Sequence, residues 1–283
     1  MSTPLSVVVL TLNEERNLPA CLTSLEELRC EILVVDSGST DRTGEIARRA
    51  NAVVLEHPFE HYGAQRNWAQ ANLPFDSDWI LHLDADERLT PELVREMNQT
   101  LAEDLTGING FLLRKRTIFM GRWIRHGGHF PSYHSRLFRR AFGRCEDRLY
   151  DQHFLVEGRV DRLHNDYLDV LTSDITTWAH RHVRWAELEA KELISAAMRD
   201  QVQPSFFGDP IQRRRWLRTG PYAHAPLFLR AFLYFAYRYI VRFGFLDGRE
   251  GLIFHFLQGC WYRFMVDVML EELRGNLKSV ARS

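Results

Sequence analysis

No Cys-x-x-Cys pair occurs in this chain, and its four cysteines, Cys21, Cys30, Cys145 and Cys260, are widely scattered. That excludes the usual zinc spacings and a disulfide framework, and it points to a reducing compartment. No basic stretch precedes the first apolar run at Leu5, so the N-terminus does not read as a signal peptide. Charge of one sign is lacking too. Lys+Arg number 36 and Asp+Glu 37, a net charge of −1, so no global field recruits nucleic acid. No Gly-x-Gly-x-x-Gly follows the first apolar run. Asn13-Glu14-Glu15 stands there instead, which cannot lay bare backbone against a pyrophosphate and removes a dinucleotide-binding oxidoreductase. A long unbroken apolar run is also missing. The richest stretch, Leu227–Leu246, is interrupted by Arg230, Arg238 and Arg242. Each Arg would cost roughly 2.5–3.5 kcal/mol near the centre of a spanning helix.

What is present is the composition of a folded protein, with 283 residues of which 45% are hydrophobic and 26% charged. The length allows one large or two intimate domains. Strand-like runs recur at Leu5–Leu12, Glu31–Val35, Ala52–Glu56 and Trp79–Leu83. Helical patterns lie between them: Leu18, Cys21, Leu22, Leu25 and Leu28 share one face, as do Ile46, Ala47 and Ala50. This alternation predicts parallel βαβ units with helices on both faces of a sheet. Ligands of such sheets bind at the carboxyl ends of the strands.

Those ends carry chemistry. Trp79–Leu83 runs into Asp84-Ala85-Asp86-Glu87. Asp84 and Asp86 are two apart, so in extended chain they lean to one side. Two hard oxygen ligands on one side suit Mg²⁺ or Mn²⁺ carrying a diphosphate. Asp36 ends the second run, where a carboxylate can accept from a ribose hydroxyl or a base N–H. Gly38 permits a positive φ in the turn that follows, and Ser39 or Thr40 can cap the next helix. Gln65 and Asn67 offer amide edges, and Arg66 a fork for phosphate.

Together Thr11-Leu12-Asn13-Glu14, Asp36-x-Gly38-Ser39-x-Asp41, the helix start at Gln65–Asn67 and Asp84-Ala85-Asp86 resemble the nucleotide-binding half of family 2 glycosyltransferases, which have the GT-A α/β fold. The resemblance covers about the first hundred residues. It is similar, more narrowly, to bacterial enzymes that extend lipopolysaccharide core or other envelope glycans. The resemblance implies that Thr11, Leu12, Asn13, Glu14 and Asp36 hold the base and ribose of a nucleotide sugar, that Gln65, Asn67 and Asp84 help bind it, and that Asp86 holds a divalent cation. It also implies a GT-A domain over residues 1–205 (donor half 1–100, acceptor half 101–205), followed by a helical region over 206–283.

Inverting transfer needs a base for the acceptor hydroxyl, and the resemblance implies a carboxylate downstream of Asp86. Glu146, Asp147, Asp151 and Glu157 are the candidates. Tyr150-Asp151-Gln152-His153 resembles the base-bearing segment of the envelope subgroup and favours Asp151, with Glu146 and Asp147 as alternatives. The chain departs from the pattern in having no Glu-Asp or His-Glu pair there. The resemblance also implies a third metal ligand shortly after the base, for which His164 is the nearest candidate, with Asp169 behind it. Residues 117–145, with Trp123, His126, His129, Tyr133 and His134, suit sugar recognition or an irregular core; their His spacing does not suit zinc.

Thr90-Pro91 reads as a helix start, Gly110–Arg116 as a strand and Glu187–Met198 as an amphipathic helix. Beyond Pro204 the chain turns aromatic and basic. Arg230, Arg238 and Arg242 fall within one sector of about 120°, with Tyr234 among them. That predicts an interfacial helix in contact with anionic lipid, broken at Gly244–Gly248 and followed by a second helix over Gly251–Leu273. The whole reads as a cytoplasmic glycosyltransferase, peripheral at the inner face of the membrane, acting on a glycan or lipid-linked acceptor. A nucleotidyltransferase would normally show a Gly-rich phosphate loop near the first strand. A non-catalytic nucleotide-sugar sensor would need no base.

Overall fold

The structure, a computed structural model, describes residues 5–195 and 202–280. The chain begins with β1 (Leu5–Thr11), α1 (Leu18–Thr23), β2 (Glu31–Asp36), α2 (Thr43–Arg49), β3 (Val53–Glu56), α3 (Tyr62–Ala71), β4 (Trp79–Asp84), β5 (Glu87–Leu89) and α4 (Pro91–Thr100). It continues through β6 (Ile108–Phe119), β7 (Arg122–Trp123), β8 (Ser132–Arg139), β9 (Gly143–Cys145), β10 (Phe154–Val156) and β11 (Arg159–Leu171). The helices α5 (Ile175–Ile194), α6 (Pro210–Leu217), α7 (Leu229–Ala236), α8 (Gly248–Phe256) and α9 (Tyr262–Val280) follow. The helix expected over 187–198 is the end of α5, and its residues 196–198 lie outside the described residues.

Two compact units divide the chain. The first comprises the chain to Ile118, Ser132–Asp147 and Gln152–Leu171. The second comprises Phe119–Pro131, Arg148–Asp151 and the chain from Thr172. This division places α5 with the C-terminal helices, where a cut at residue 205 would place it with the sheet; α5 packs along α9.

In the first unit the strand order is β3-β2-β1-β4-β8-β6-β11-β5. The β3-β2-β1-β4 half is parallel, as the strand–helix alternation requires. The sheet then turns antiparallel at β8, β6 and the β11–β5 pair. Side-chain alternation along the strands splits the core in two. Leu5, Val7 and Val9 join Leu81, Leu83 and the inner faces of α1 and α4. Val8, Leu33, Val35 and Ile80 face the other way, onto Ala69, Phe138 and Phe154. Thr90 caps α4 by accepting from the Leu93 N–H at 3.2 Å, with Pro91 at the first helical position.

In the second unit Ala186, Tyr262 and Val266 form a small core against Tyr150, Trp185 and Trp261. The break expected at Gly244–Gly248 is a 3₁₀ turn, Gly244–Asp247, ahead of α8. The orientation expected for the preceding helix is corrected: Arg230 and Arg238 are buried and the apolar side is exposed. No helix among the described residues is long and apolar enough to cross a membrane.

Gly63 seats α3 in the first unit. A Cβ there would sit 2.3 Å from the Glu146 carbonyl oxygen, a backbone atom with little room to yield. Gly63→Ala should therefore destabilise the protein by about 1–3 kcal/mol despite its better helix propensity. Urea unfolding checks this; a midpoint equal to wild type would mean α3 tolerates a shift away from residue 146.

Candidate active site

Parallel register sets the first part of the site. Thr11 pairs with Asp36, and Leu10 with Asp84, so the ends of β1, β2 and β4 are level. The loops leaving them are tied to each other. Asp36 is buried and accepts from the Thr11 hydroxyl (2.9 Å), the Ser39 N–H (2.8 Å) and the Ser39 hydroxyl (2.5 Å). The Asn13 N–H donates to Ser39 Oγ, and Asn13 Oδ1 accepts from the Thr40 N–H, both at 2.8 Å. The Glu14 N–H donates to Thr43 Oγ1 at 2.8 Å, and the Glu15 N–H to Asp41 at 3.1 Å. Gly38 has φ +93°, the positive value its turn was expected to need, and Asn13 has φ 56°. Leu12 and Asn13 stay exposed on this tied base.

The two amides are used by the protein. Buried Gln65 donates to Ser37 Oγ (3.1 Å) and the His57 carbonyl (3.0 Å), while its oxygen meets His57 Nδ1 at 2.8 Å. Asn67 exchanges two hydrogen bonds with the Cys145 backbone, joining α3 to β9. Both residues position elements rather than present a free amide edge.

The second part is a charge cluster where β4 ends. Asp84 accepts from Arg66 at 2.6 Å and from Arg136 at 2.9 Å. Although burial opposes ionisation, these guanidiniums hold its carboxyl well below the usual range. Arg136 also meets Glu87 at 2.8 Å, and Glu87 accepts from the Asp84 N–H at 2.9 Å. Burial, joined by Asp84 and Asp169, outweighs Arg136 and Lys115 and pushes Glu87 up to about 7. Asp169 lies opposite Glu87 in the β11–β5 register and pairs with Lys115 at 2.8 Å. Asp86 is half-buried; its backbone carbonyl accepts from the Val170 N–H at 3.0 Å, and its side chain has no hydrogen-bond or ion-pair partner among the described residues. Burial and the charges of Asp169, Asp84, Glu87 and Glu14 raise its carboxyl well above the usual value.

Asp86 is thus short of positive charge, which a divalent cation would supply. Among the described residues no three His, Cys, Asp or Glu side chains form a ready-made metal site. That donor set fits a cation that brings most of its oxygen ligands with it as diphosphate and water. His164 does not join Asp86. It is 89% exposed and bonds Glu96 at 3.0 Å. Val170 is the residue beside Asp86, and six residues of extended strand carry His164 roughly 20 Å away from it.

The base candidates separate by environment. Glu146 is fully buried and accepts from the His153 N–H at 2.8 Å. Asp147 is exposed and lies 3.3 Å from His61 Nε2. Asp151 belongs to the second unit, has φ 54° and accepts from Arg218. Arg218 also binds buried Glu189, which holds Arg263 at 2.9 Å and the Tyr262 hydroxyl at 2.7 Å. Sequence reasoning missed Arg136 and Lys115.

His82 lies beneath this cluster, buried in β4 and packed on Phe154 (4.6 Å) and Phe138 (5.7 Å). Burial, with Arg66 and Arg136 adding, keeps its pKa well below the usual 6.5. The unfolded chain binds a proton here as pH falls and the folded one does not. The stability contribution is therefore complete above about pH 6.5 and is lost below it by up to about 1.4 kcal/mol per pH unit. His82→Phe should flatten the acid side of the stability curve relative to wild type. Urea midpoints at several pH values read this out; parallel curves for both proteins would contradict it.

A family model described as Glycosyl transferase family 2 matches residues 6–154. An uncharacterized glycosyltransferase of Rickettsia typhi is 35% identical over 98 residues, 35% of this chain and 33% of that protein. The chain thus spans about a third of the length of that curated relative. The lipopolysaccharide core biosynthesis glycosyltransferase LpsC of Rhizobium meliloti is 28% identical over 232 residues, 77% of this chain and 82% of that one. Among solved structures, S. aureus TarS 1-349 aligns over 96% of this chain and 91% of its own at 15% identity, with a TM-score of 0.46. The family match covers more than half of the chain, from β1 through the tied loops and the acidic cluster to Asp151: the chain belongs to glycosyl transferase family 2 and has its GT-A α/β fold, with C-terminal helices added.

Proposed function

We propose that the protein transfers a sugar, with inversion, from a nucleotide-sugar donor to a glycan or lipid-linked acceptor in bacterial envelope polysaccharide or lipopolysaccharide synthesis. The observation that carries this reading is Asp86, a half-buried carboxylate without a hydrogen-bond or ion-pair partner for its side chain among the described residues, at the end of a buried strand. Likeness to LpsC supports the envelope setting. In this reading Leu12 and Asn13 receive the base and ribose on the frame set by Thr11, Glu14, Asp36, Gln65 and Asn67. Asp84, fixed by Arg66 and Arg136, orients the ribose side of the donor. A Mg²⁺ or Mn²⁺ held by Asp86 would neutralise the departing diphosphate. Asp151 takes the proton of the acceptor hydroxyl as its oxygen bonds the anomeric carbon and the bond to diphosphate breaks on the opposite face. Arg218 fixes the direction of the Asp151 carboxylate. His164, turned to Glu96, has no part in this reading. The working place is the inner surface of the cytoplasmic membrane, where an anionic lipid surface and a lipid-linked acceptor meet the C-terminal helices.

A thermal-shift panel of UDP-, GDP- and dTDP-sugars with Mn²⁺ identifies the donor. Asp86→Asn should then abolish Mn²⁺-dependent binding of that donor. Without metal the same variant should melt no lower than wild type, because an amide removes a carboxylate repelled by its neighbours. Retained Mn²⁺-dependent binding would remove Asp86 from the metal site.

Asp151→Asn should keep donor binding and lower transfer by about 10²-fold or more. Normal transfer by this variant alongside an inactive Glu146→Gln or Asp147→Asn protein would move the base. Donor binding without turnover in wild type, across a panel of lipid-linked and free glycans, would favour a sensor.

A further inference from the structure

The C-terminal unit is amphipathic inside out. Residues 210–246 contain seven Arg and no Asp, Glu or Lys. In α7 and the π-helical turn after it (Tyr237–Val241), Arg230 and Arg238 are 6% and 7% exposed, whereas Leu233 and Ile240 are 54% and 63% exposed. The buried charges are satisfied within the unit. Arg230 meets fully buried Asp267 at 2.8 Å, and Arg238 Nε donates to the Gly127 carbonyl at 3.1 Å. The outer face is apolar and continues past the helix. Phe243, Phe245 and Leu246 are exposed around the 3₁₀ turn, and Leu252 and Phe256 on α8. Phe228 and Phe243, at the two ends of the first helical stretch, hold φ +65° and +59°, a region bulky side chains avoid in the absence of a compensating contact.

A water-facing pair of helices gains nothing from this arrangement, since its exposed rings would face solvent and its guanidiniums are desolvated. Contiguous apolar surface of this kind marks a contact, and it extends over two helices and the tip between them. Its border is basic: Arg242 and Arg249 are exposed beside the tip. A second copy meeting this face in a two-fold dimer would bring the same Arg border against itself. Lipid phosphate complements it. The 13 residues from Leu229 to Val241 span about 20 Å, too short to cross a bilayer core of about 30 Å.

We infer that α7, the Gly244–Asp247 turn and α8 form a monotopic anchor whose outward apolar face enters the acyl layer of a phospholipid membrane, with Arg242 and Arg249 at the level of the phosphates. The inference rests on the membrane-surface reading above and changes its physics. Binding comes from apolar burial, with charge as a secondary contribution, because Arg230 and Arg238 never meet lipid.

Flotation of the full chain with vesicles of phosphatidylcholine, alone or mixed with phosphatidylglycerol, tests this at low and high salt. Wild type should bind both compositions, more tightly with the anionic lipid, and keep its binding to neutral vesicles at high salt. Leu233→Asp/Ile240→Asp, at two exposed positions, should lower partitioning more than about tenfold while keeping the wild-type circular dichroism melt and donor-induced thermal shift. Binding confined to anionic vesicles and lost in salt would overturn insertion but leave surface attraction. A concentration-dependent dimer that the double variant dissolves, without vesicle binding, would assign the face to a second copy. Unchanged partitioning of the variant would also overturn the inference. None of these outcomes touches the donor site, whose own test is the nucleotide-sugar panel.

Discussion

The Arg136 guanidinium shared between Asp84 and Glu87 is the interaction on which the acidic end of β4 depends. A strand that delivers three carboxylates within four residues to a partly desolvated place would repel itself apart. Arg136 arrives from β8, Arg66 from α3 and Lys115 from β6, so three separate elements must be in register before the cluster is tolerable. Removing one member of such a buried pair typically costs about 3–5 kcal/mol, because the partner charge stays behind. The cations are not spread evenly. Asp84 has two, Asp169 and Glu87 each have one, and Asp86 has none that the described residues supply. Within this cluster, and among the described residues, the carboxylate left without a cation is Asp86, and the chemistry proposed for the protein begins there.

Much of this was legible in the sequence because it is local. Apolar runs at regular spacing gave β1 to β4 within a residue or so at each end, and the chemistry at their carboxyl ends follows from parallel order. Gly38 and Thr90 did what their residue types require. The antiparallel half was less legible. β8 and β11 find their partners only through contacts far apart in sequence, so nothing local announces that Asp169 will stand opposite Glu87. For the same reason the sequence favoured His164 over Asp169: closeness to the base in sequence was counted, while β11 runs so that Asp169 is next to Val170, which bonds Asp86, and His164 lies farther along the strand. Gln65 and Asn67 show a related limit. An amide in a loop-to-helix segment reads equally well as a ligand contact or as a brace, and the brace depends on His57 and the Cys145 backbone arriving at the same place.

The C-terminal helices show what periodicity can and cannot supply. It placed Arg230, Tyr234, Arg238 and Arg242 in one sector, and the structure keeps Arg230 and Arg238 together inside while Arg242 is exposed. It could not say which side faces outward, because that depends on whether a partner such as Asp267 waits inside. Soluble proteins teach the habit of turning charge to water, and the habit fails where an acid from α9 makes the interior the better place for a guanidinium. The location of the carboxylates, absent between Asp209 and Asp247, was the visible hint that these arginines would be matched by something beyond their own segment.

The mutual binding of the loops after β1 and β2 has an implication for how donor choice could change. Asn13, Ser39 and Thr40 hold one another, as do Glu14 with Thr43 and Glu15 with Asp41. A substitution in either loop disturbs its counterpart before it reaches a ligand. The two segments therefore behave as one inherited block: grafting both together from a relative with another donor preserves their lacing, whereas swapping single positions breaks it. Under the proposed function, drift in donor specificity would proceed by paired exchanges, with epistasis joining residues 13–15 to residues 39–43.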